Sequence, residues 1–357
     1  MLSALVLAAA YATVPAAVAT PAPAAAAPVP AAVTAVPAAT TPAPATPAGA
    51  ALAMRIADLR RRYDVLWEVV NRPRIIDAGV RERLRERVAV AAQTALALAD
   101  EPDAAIVGDL ERRADLDERT VPALVSGTPP PLDAAPGGHV GIVHAGGHDE
   151  PFAYWVPRGY DPRKPAPLVV LVHGATQPET DLVARSFFRD LADASGAVLL
   201  APGGEDRDPE AMLRSLDAAE HALAAAVPTD PRRRYAGGFS NGVFCAYHAV
   251  AVQGQPYAGF LGIAGFVLRE DVHAVGLRLY GEGAYIVIGA DDRVIGVPAV
   301  RSNVRALRTA HVYARYYEVP GAPHALRPLY PAIAKAWNDM LSGNTKIDND
   351  GLGGVNG

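Results

Sequence analysis

Between Arg55 and Asn71 apolar side chains recur at three- and four-residue steps: Ile56, Leu59, Tyr63, Leu66, Trp67 and Val70. That is the period of one helix face, and Asn71-Arg72-Pro73 ends it. A second helix is predicted from Ala78 to Ala99, with RERLRER (residues 81–87) alternating charges on its wet face. The two are expected to form a helical hairpin packed on the region that follows, the alternative being an independent binding module. After the proline break TPPPLDAAPGG (residues 128–138) the pattern changes. GIVHAGG and PFAYWVP are short β-like runs divided by glycines, as in an antiparallel hairpin. PLVVLVHG, ending at Gly174, is nearly all apolar, as a strand buried on both faces should be.

From there strands and helices alternate. A helix is predicted over Asp181 to Ala194, then strand GAVLLAP, a helix over Pro209 to Ala226, strand RRYAGGF and a helix over Asn241 to Val252. Strands FLGIAGF, AYIVIGA and VYARYYEV follow, and a last helix over Pro331 to Leu341. This order builds an α/β fold, a mostly parallel sheet with helices on both faces, preceded by a helical extension.

Composition refines the outline. With 357 residues, half of them hydrophobic, the chain can bury a full-sized core. The first fifty residues contain no Asp, Glu, Lys or Arg, and from Thr20 they are a Pro/Ala tract expected to be a disordered tether. Upstream, the apolar run Leu2 to Ala10 and the small residues Ala17-Val18-Ala19 resemble a secretory leader lacking a basic start, so export to a periplasmic or extracellular space is expected. Pro15 and the Ala-rich composition argue against a membrane span in the mature protein. The segments are thus a leader and tether over 1–50, a helical extension over 51–127, a catalytic domain over 128–341 and a disordered tail over 342–357. A net charge of -5, with neither sign dominating, gives no reason to expect a nucleic-acid partner. The single cysteine, Cys245, rules out an intrachain disulfide.

Candidate chemistry centres on GGFSNGVFCAY, residues 237–247. Gly238-Phe239-Ser240-Asn241-Gly242 is a G-x-S-x-G between a predicted strand and a predicted helix, the context in which a nucleophile sits on a sharp, strained turn above a sheet. A serine hydroxyl needs a base to take its proton. Of nine histidines, His324 stands in VPGAPHAL, a loop between the last strand and the last helix. His173 is read as a structural part of the turn after its strand. His221 and His248 fall in predicted helices, and are read as surface or hydrogen-bonded residues. His139, His144 and His148 span a glycine-broken hairpin with no carboxylate pattern, so no metal is expected. In YIVIGADDRVIG the adjacent acids Asp291 and Asp292 follow a strand and could orient an imidazole. Ser, Asp, His is the chain order of α/β-hydrolases. An oxyanion would be met by the backbone N–H of Asn241 and by that of Ala175 in the turn HGATQ.

These motifs together resemble the polyhydroxyalkanoate depolymerase and feruloyl esterase-like branch of the α/β-hydrolases: HGATQ after PLVVLV, GxSNG at the elbow, a G-x-x-D turn and a late PGAPH. The segment YWVPRGYDPRKPAPLVVLVHG is also similar to the corresponding part of those esterases and of prolyl-oligopeptidase-type peptidases. The resemblance covers about residues 138 to 341 and none of 1 to 125. It implies ester hydrolysis through an acyl-enzyme, without a cofactor. It also favours Asp292 over Asp291, because related enzymes place the acid three residues after the strand-ending glycine, here Gly289, and just before an apolar pair, here Val294-Ile295. Val243 and Ala175 depart from residues common in the depolymerases; the departures leave the implied chemistry in place, but the resemblance does not carry over the depolymerases' particular polymer substrates.

The expectation is a serine carboxylic-ester hydrolase with Ser240 as nucleophile, His324 as base, Asp292 as orienting acid, and Asn241 and Ala175 as oxyanion donors. Its substrate would be a small-molecule or polymeric ester. With 52 residues from Ser240 to Asp292 there is little room for a large lid, so an open cleft is expected. The rival readings are a prolyl-oligopeptidase-like serine peptidase and a non-catalytic binding protein on the same fold.

Overall fold

A computed structural model describes residues 46–72, 78–204, 208–253, 256–268, 271–279, 281–346 and 352. The leader, residues 1–45 of the expected tether, and nearly all of the tail beyond 346 lie outside the described residues. The chain divides between Ala51 and Leu52, and every feature of the site belongs to Leu52–Gly357.

The first helix, α1 (Pro47–Asn71), starts inside the segment expected to be tether, with Thr46 Oγ1 accepting the Gly49 N–H at 3.1 Å. Its buried stripe is Ile56, Leu59, Tyr63, Leu66 and Val70; Trp67, expected in that stripe, is 43% exposed. Helix α2 (Ala78–Asp100) follows, and then a helix the sequence reading did not contain, α3 (Ala104–Ser126). Its ends are conventional. The Asp103 carboxylate caps the Ala105 and Ile106 N–H groups, and Gly127 closes the helix at φ 66°. It escaped notice because its buried face includes Arg113, Asp117 and Thr120, so the apolar period is interrupted where it should be strongest. The extension is therefore three helices rather than a hairpin.

Eight strands form one sheet: β1 (Gly137–Ala145), β2 (His148–Val156), β3 (Ala166–Val172), β4 (Val198–Pro202), β5 (Thr229–Phe239), β6 (Gly259–Ile263), β7 (Gly283–Gly289) and β8 (Tyr313–Val319). Their spatial order is β1-β2-β4-β3-β5-β6-β7-β8. The β1–β2 hairpin and the β2–β4 pair are antiparallel, and the other pairs are parallel. Alternation along β3 sends Leu168, Val170 and Val172 into one apolar layer and Val169 and Leu171 into the other. The first layer is closed by α6 (Pro209–Ala226), α7 (Asn241–Val252), α8 (Val272–Arg278) and α9 (Val297–Thr309). The second is closed by α4 (Glu179–Ala184), α5 (Ser186–Ser195) and α10 (Leu326–Leu341), with Leu116 of α3 inserted among them.

Three helical expectations are corrected. The helix predicted over 181–194 is two helices, broken where Arg185 is extended. α8 and α9 were not foreseen, although neighbouring parallel strands need a crossover and α9 buries Val297, Val300, Val304 and Leu307 at helical spacing. α10 starts at Leu326, one turn before Pro331, so its first turn follows His324 directly. Among the described residues no helix is long and apolar enough to cross a membrane.

Candidate active site

Ser240 is the residue between β5 and α7, and it has φ 53° and ψ -120°, a conformation that costs a side-chain-bearing residue on the order of 1–3 kcal/mol. Its surroundings hold it there. The Ser240 N–H donates to the Ile263 carbonyl at 2.8 Å and its carbonyl accepts the Val243 N–H at 3.0 Å. A Cβ on Gly242 would stand 2.2 Å from the Val172 carbonyl oxygen, and one on Gly238 would stand 2.4 Å from the Gly242 carbonyl. The two glycines let the start of α7 lie against the end of β3, which lifts the serine out of the sheet with its hydroxyl free to point away from the helix.

The Ser240 hydroxyl meets His324 Nε2 at 2.9 Å, and His324 Nδ1 meets Asp292 Oδ2 at 2.7 Å. His324 occupies the loop between β8 and α10. That loop packs on β7 because Gly289 has no Cβ, which would otherwise approach the Ala322 carbonyl to 2.1 Å. The Asp292 side chain is fully buried, and its Oδ1 accepts the N–H groups of Val294 at 2.9 Å and Ile295 at 2.8 Å. With the carboxylate acting as acceptor throughout, Nδ1 of His324 carries the proton and Nε2 is left to accept from Ser240. Asp291 is exposed, and its N–H is bonded to the Ala322 carbonyl, so of the two acids it is Asp292 that reaches the imidazole. Phe239, which the sequence reading passed over, stacks on the His324 ring at 5.2 Å between centroids; its place immediately before the serine was the available signal.

The turn after β3 lies beside the elbow. The Gln177 N–H closes it onto the Gly174 carbonyl at 3.1 Å, and the Gly174 N–H donates to Gln177 Oε1 at 3.0 Å. Thr176 takes φ 63°, and Gly174 sits against the Phe239 ring. Ala175 is inside this turn and Asn241 is the first residue of α7, so both expected oxyanion donors belong to segments that flank Ser240. His173 is buried, with Nδ1–H donating to the Gly174 carbonyl at 3.0 Å, a local structural role. His139 bonds the Ala135 carbonyl, His144 pairs with Asp149, and His248 meets Glu210, each away from Ser240.

A serine on the β5–α7 turn, an acid after β7 and a histidine after β8, on a sheet of this order, decide the fold. It is the α/β-hydrolase fold. Neither a protein-family model nor a curated protein matches the chain. Solved structures that resemble it include a thermostable esterase, 20% identical over 56% of this chain and 60% of that one, with a TM-score of 0.44. The feruloyl esterase module of Clostridium thermocellum is 14% identical over 62% and 93%, TM-score 0.47. FphF, a fluorophosphonate-binding serine hydrolase of Staphylococcus aureus, is 13% identical over 58% and 99%, TM-score 0.49. The chain spans less than two thirds of the length of the thermostable esterase. Chemistry is a matter for the site itself.

Proposed function

We propose that the protein is a serine carboxylic-ester hydrolase, with Ser240 as nucleophile, His324 as base and Asp292 as the orienting acid. The observation that carries this reading is a strained serine whose hydroxyl is hydrogen-bonded to an imidazole that a fully buried carboxylate holds from its other side. A stability role alone would not maintain a serine at positive φ with its hydroxyl on a histidine.

In this reading Ser240 Oγ attacks the ester carbonyl carbon while its proton passes to His324 Nε2. Asp292 stabilises the imidazolium so formed. The carbonyl oxygen becomes an oxyanion, and the N–H groups of Asn241 and Ala175 are the donors assigned to it. Collapse of the tetrahedral intermediate expels the alcohol, which takes the proton from His324 and leaves an acyl group on Ser240. Water then attacks the acyl carbon, giving its proton to His324, and the acid departs with Ser240 restored. No step calls for a metal or cofactor. The substrate class is a carboxylic ester, small or polymeric.

The test is covalent labelling. A fluorophosphonate probe should label the wild-type protein at Ser240 and fail to label Ser240→Ala, and p-nitrophenyl ester hydrolysis should disappear with the label. Labelling that survives in Ser240→Ala, or a folded wild type that neither labels nor hydrolyses, refutes the assignment.

A further inference from the structure

The turn carrying Ala175 runs into α4, whose first residues Glu179, Thr180 and Asp181 face the helical extension. Arg87 of α2 is 6% exposed. It donates from Nε and Nη2 to Asp117 Oδ1 at 2.9 and 2.7 Å, from Nη1 to Glu179 Oε2 at 3.0 Å and from Nη2 to Thr180 Oγ1 at 3.0 Å. Thr180 Oγ1 in turn donates to Asp117 Oδ1 at 2.9 Å. Arg113 donates to Asp117 Oδ2 at 3.3 Å and has Nη1 3.9 Å from Asp181, which also accepts from Arg185 at 2.8 Å. Burial works against the Asp181 charge, but Arg185 and Arg113 outweigh it and hold its carboxyl below the ordinary range. Three guanidiniums thus face three carboxylates. The extension supplies Arg87, Arg113 and Asp117, one positive charge in excess, and α4 with its cap supplies Glu179, Asp181 and Arg185, one negative in excess. Neither half is neutral without the other.

Two further contacts run the same way. Arg112 Nε donates to the Ala184 carbonyl at 2.8 Å, and Asp109 Oδ1 accepts the Ser186 N–H at 3.0 Å, where α4 gives way to α5.

Buried ion pairs are a poor source of stability, since well-packed apolar side chains of equal volume often do as well or better. What they do supply is direction: a planar guanidinium whose N–H groups are divided among Asp117, Glu179 and Thr180 accepts few geometries. Here that direction is imposed two residues beyond Gln177, the residue that closes the turn. We infer that the helical extension positions the oxyanion loop, with Arg87 and Glu179 as positioning residues that fix where the Ala175 N–H points. The inference rests on the proposed hydrolase reading, since it needs an oxyanion to form beside Ser240.

The full chain is tested as Glu179→Gln, nearly isosteric, and Arg87→Lys, which keeps the charge and loses the fork. With p-nitrophenyl butyrate, kcat should fall by about 10- to 100-fold, part or most of what losing one oxyanion donor costs, with KM within about threefold and far-UV circular dichroism unchanged at the assay temperature. A purely structural role would lower the melting temperature and leave the kcat of the folded fraction alone. Ala175→Pro removes the N–H in question. If Glu179 acts through that donor, the Ala175→Pro/Glu179→Gln double variant should be no slower than Ala175→Pro alone. Folded single variants with kcat within about twofold of wild type overturn the inference, as do losses that multiply in the double variant. If neither Glu179→Gln nor Arg87→Lys folds, the cluster is a stability element and the inference is wrong. An inactive, unlabelled wild type would instead count against the hydrolase reading.

Discussion

Ser240 and the turn carrying Ala175 stand side by side at the carboxyl ends of β5 and β3, and they are secured by different means. The elbow is secured by backbone: two glycines too close to carbonyls to bear a Cβ, and two main-chain hydrogen bonds to Ser240. Asp292 belongs with it, held by N–H groups two and three residues ahead in its own turn. The Ala175 turn has internal hydrogen bonds, but its exit into α4 is tied to side chains from residues 87, 113 and 117, roughly ninety to sixty positions earlier in the chain. A motif held by main-chain groups, which any residue supplies, shows itself in its own glycines and can be recognised anywhere. One held by particular side chains from another part of the chain is specific to this protein.

The largest effect should come from challenging the backbone-held half. In Gly242→Ala the new Cβ would lie 2.2 Å from the Val172 oxygen and 2.5 Å from the His173 oxygen. Neither is a side chain that could swing aside, so β3 and α7 would have to part. The expected outcome is loss of the fold, seen as little soluble protein, with any folded fraction losing about 10² in ester hydrolysis, as displacement of a nucleophile by about an ångström implies. Soluble expression, melting temperature and kcat/KM measure it. A Gly242→Ala enzyme with near-normal activity would show that the elbow is softer than its contacts indicate.

Next comes the acid, whose loss leaves the fold intact and removes only turnover. Asp292→Asn keeps the shape and should lower kcat by about 10⁴, because an amide donating to Nδ1 favours the wrong imidazole tautomer. Asp291→Asn, exposed and with its N–H on the Ala322 carbonyl, should cost less than about threefold. Both variants under one ester assay decide it; a larger loss at Asp291 would mean that the hydrogen bond to His324 at 2.7 Å is not the one used in turnover.

The same division explains what the sequence could reveal. Ser240, Asp292 and His324 stand just past the ends of β5, β7 and β8, each in a turn whose glycine or proline punctuation is visible in one dimension. The central strands were legible because residues such as Val169 to Val172 of β3 are buried on both faces, and no polar position interrupts them. α3 was not legible. Its core-facing Arg113 and Asp117 look like solvated charges until Arg87 and Asp181 are seen beside them. Periodicity rests on the premise that buried means apolar, and that premise fails where buried charges pair. α8 and α9 follow from topology rather than from periodicity: β6, β7 and β8 are parallel neighbours, which only crossover connections can join.

The smallest effect, and the one that separates the two halves by a different variable, is pH. The Asp181 carboxyl is held below its ordinary range: burial opposes its charge, but Arg185 and Arg113 more than compensate. A depressed folded value means that the native state holds the carboxylate more tightly than the unfolded chain does. That stabilisation is complete above the unfolded value, about 3.9 for an aspartate, and is lost as pH falls through the lower folded value. Asp181→Asn should therefore destabilise the protein at pH 7 by about 1.5–3 kcal/mol, the range for a hydrogen bond to a charged group. The gap between variant and wild type should be flat from about pH 8 to pH 5 and narrow below about pH 4. Its kcat should change less than that of Glu179→Gln, since Asp181 lies further along α4 from the turn. The Ser240–Gly242 turn itself contains no carboxylate, so its closeness to β3 should be indifferent to this range of pH. Urea unfolding of both proteins at pH 7, 5 and 3.5 measures the gap. If it is as wide at pH 3.5 as at pH 7, Asp181 contributes through packing rather than charge, and the α4 side of the loop is held much as the elbow is.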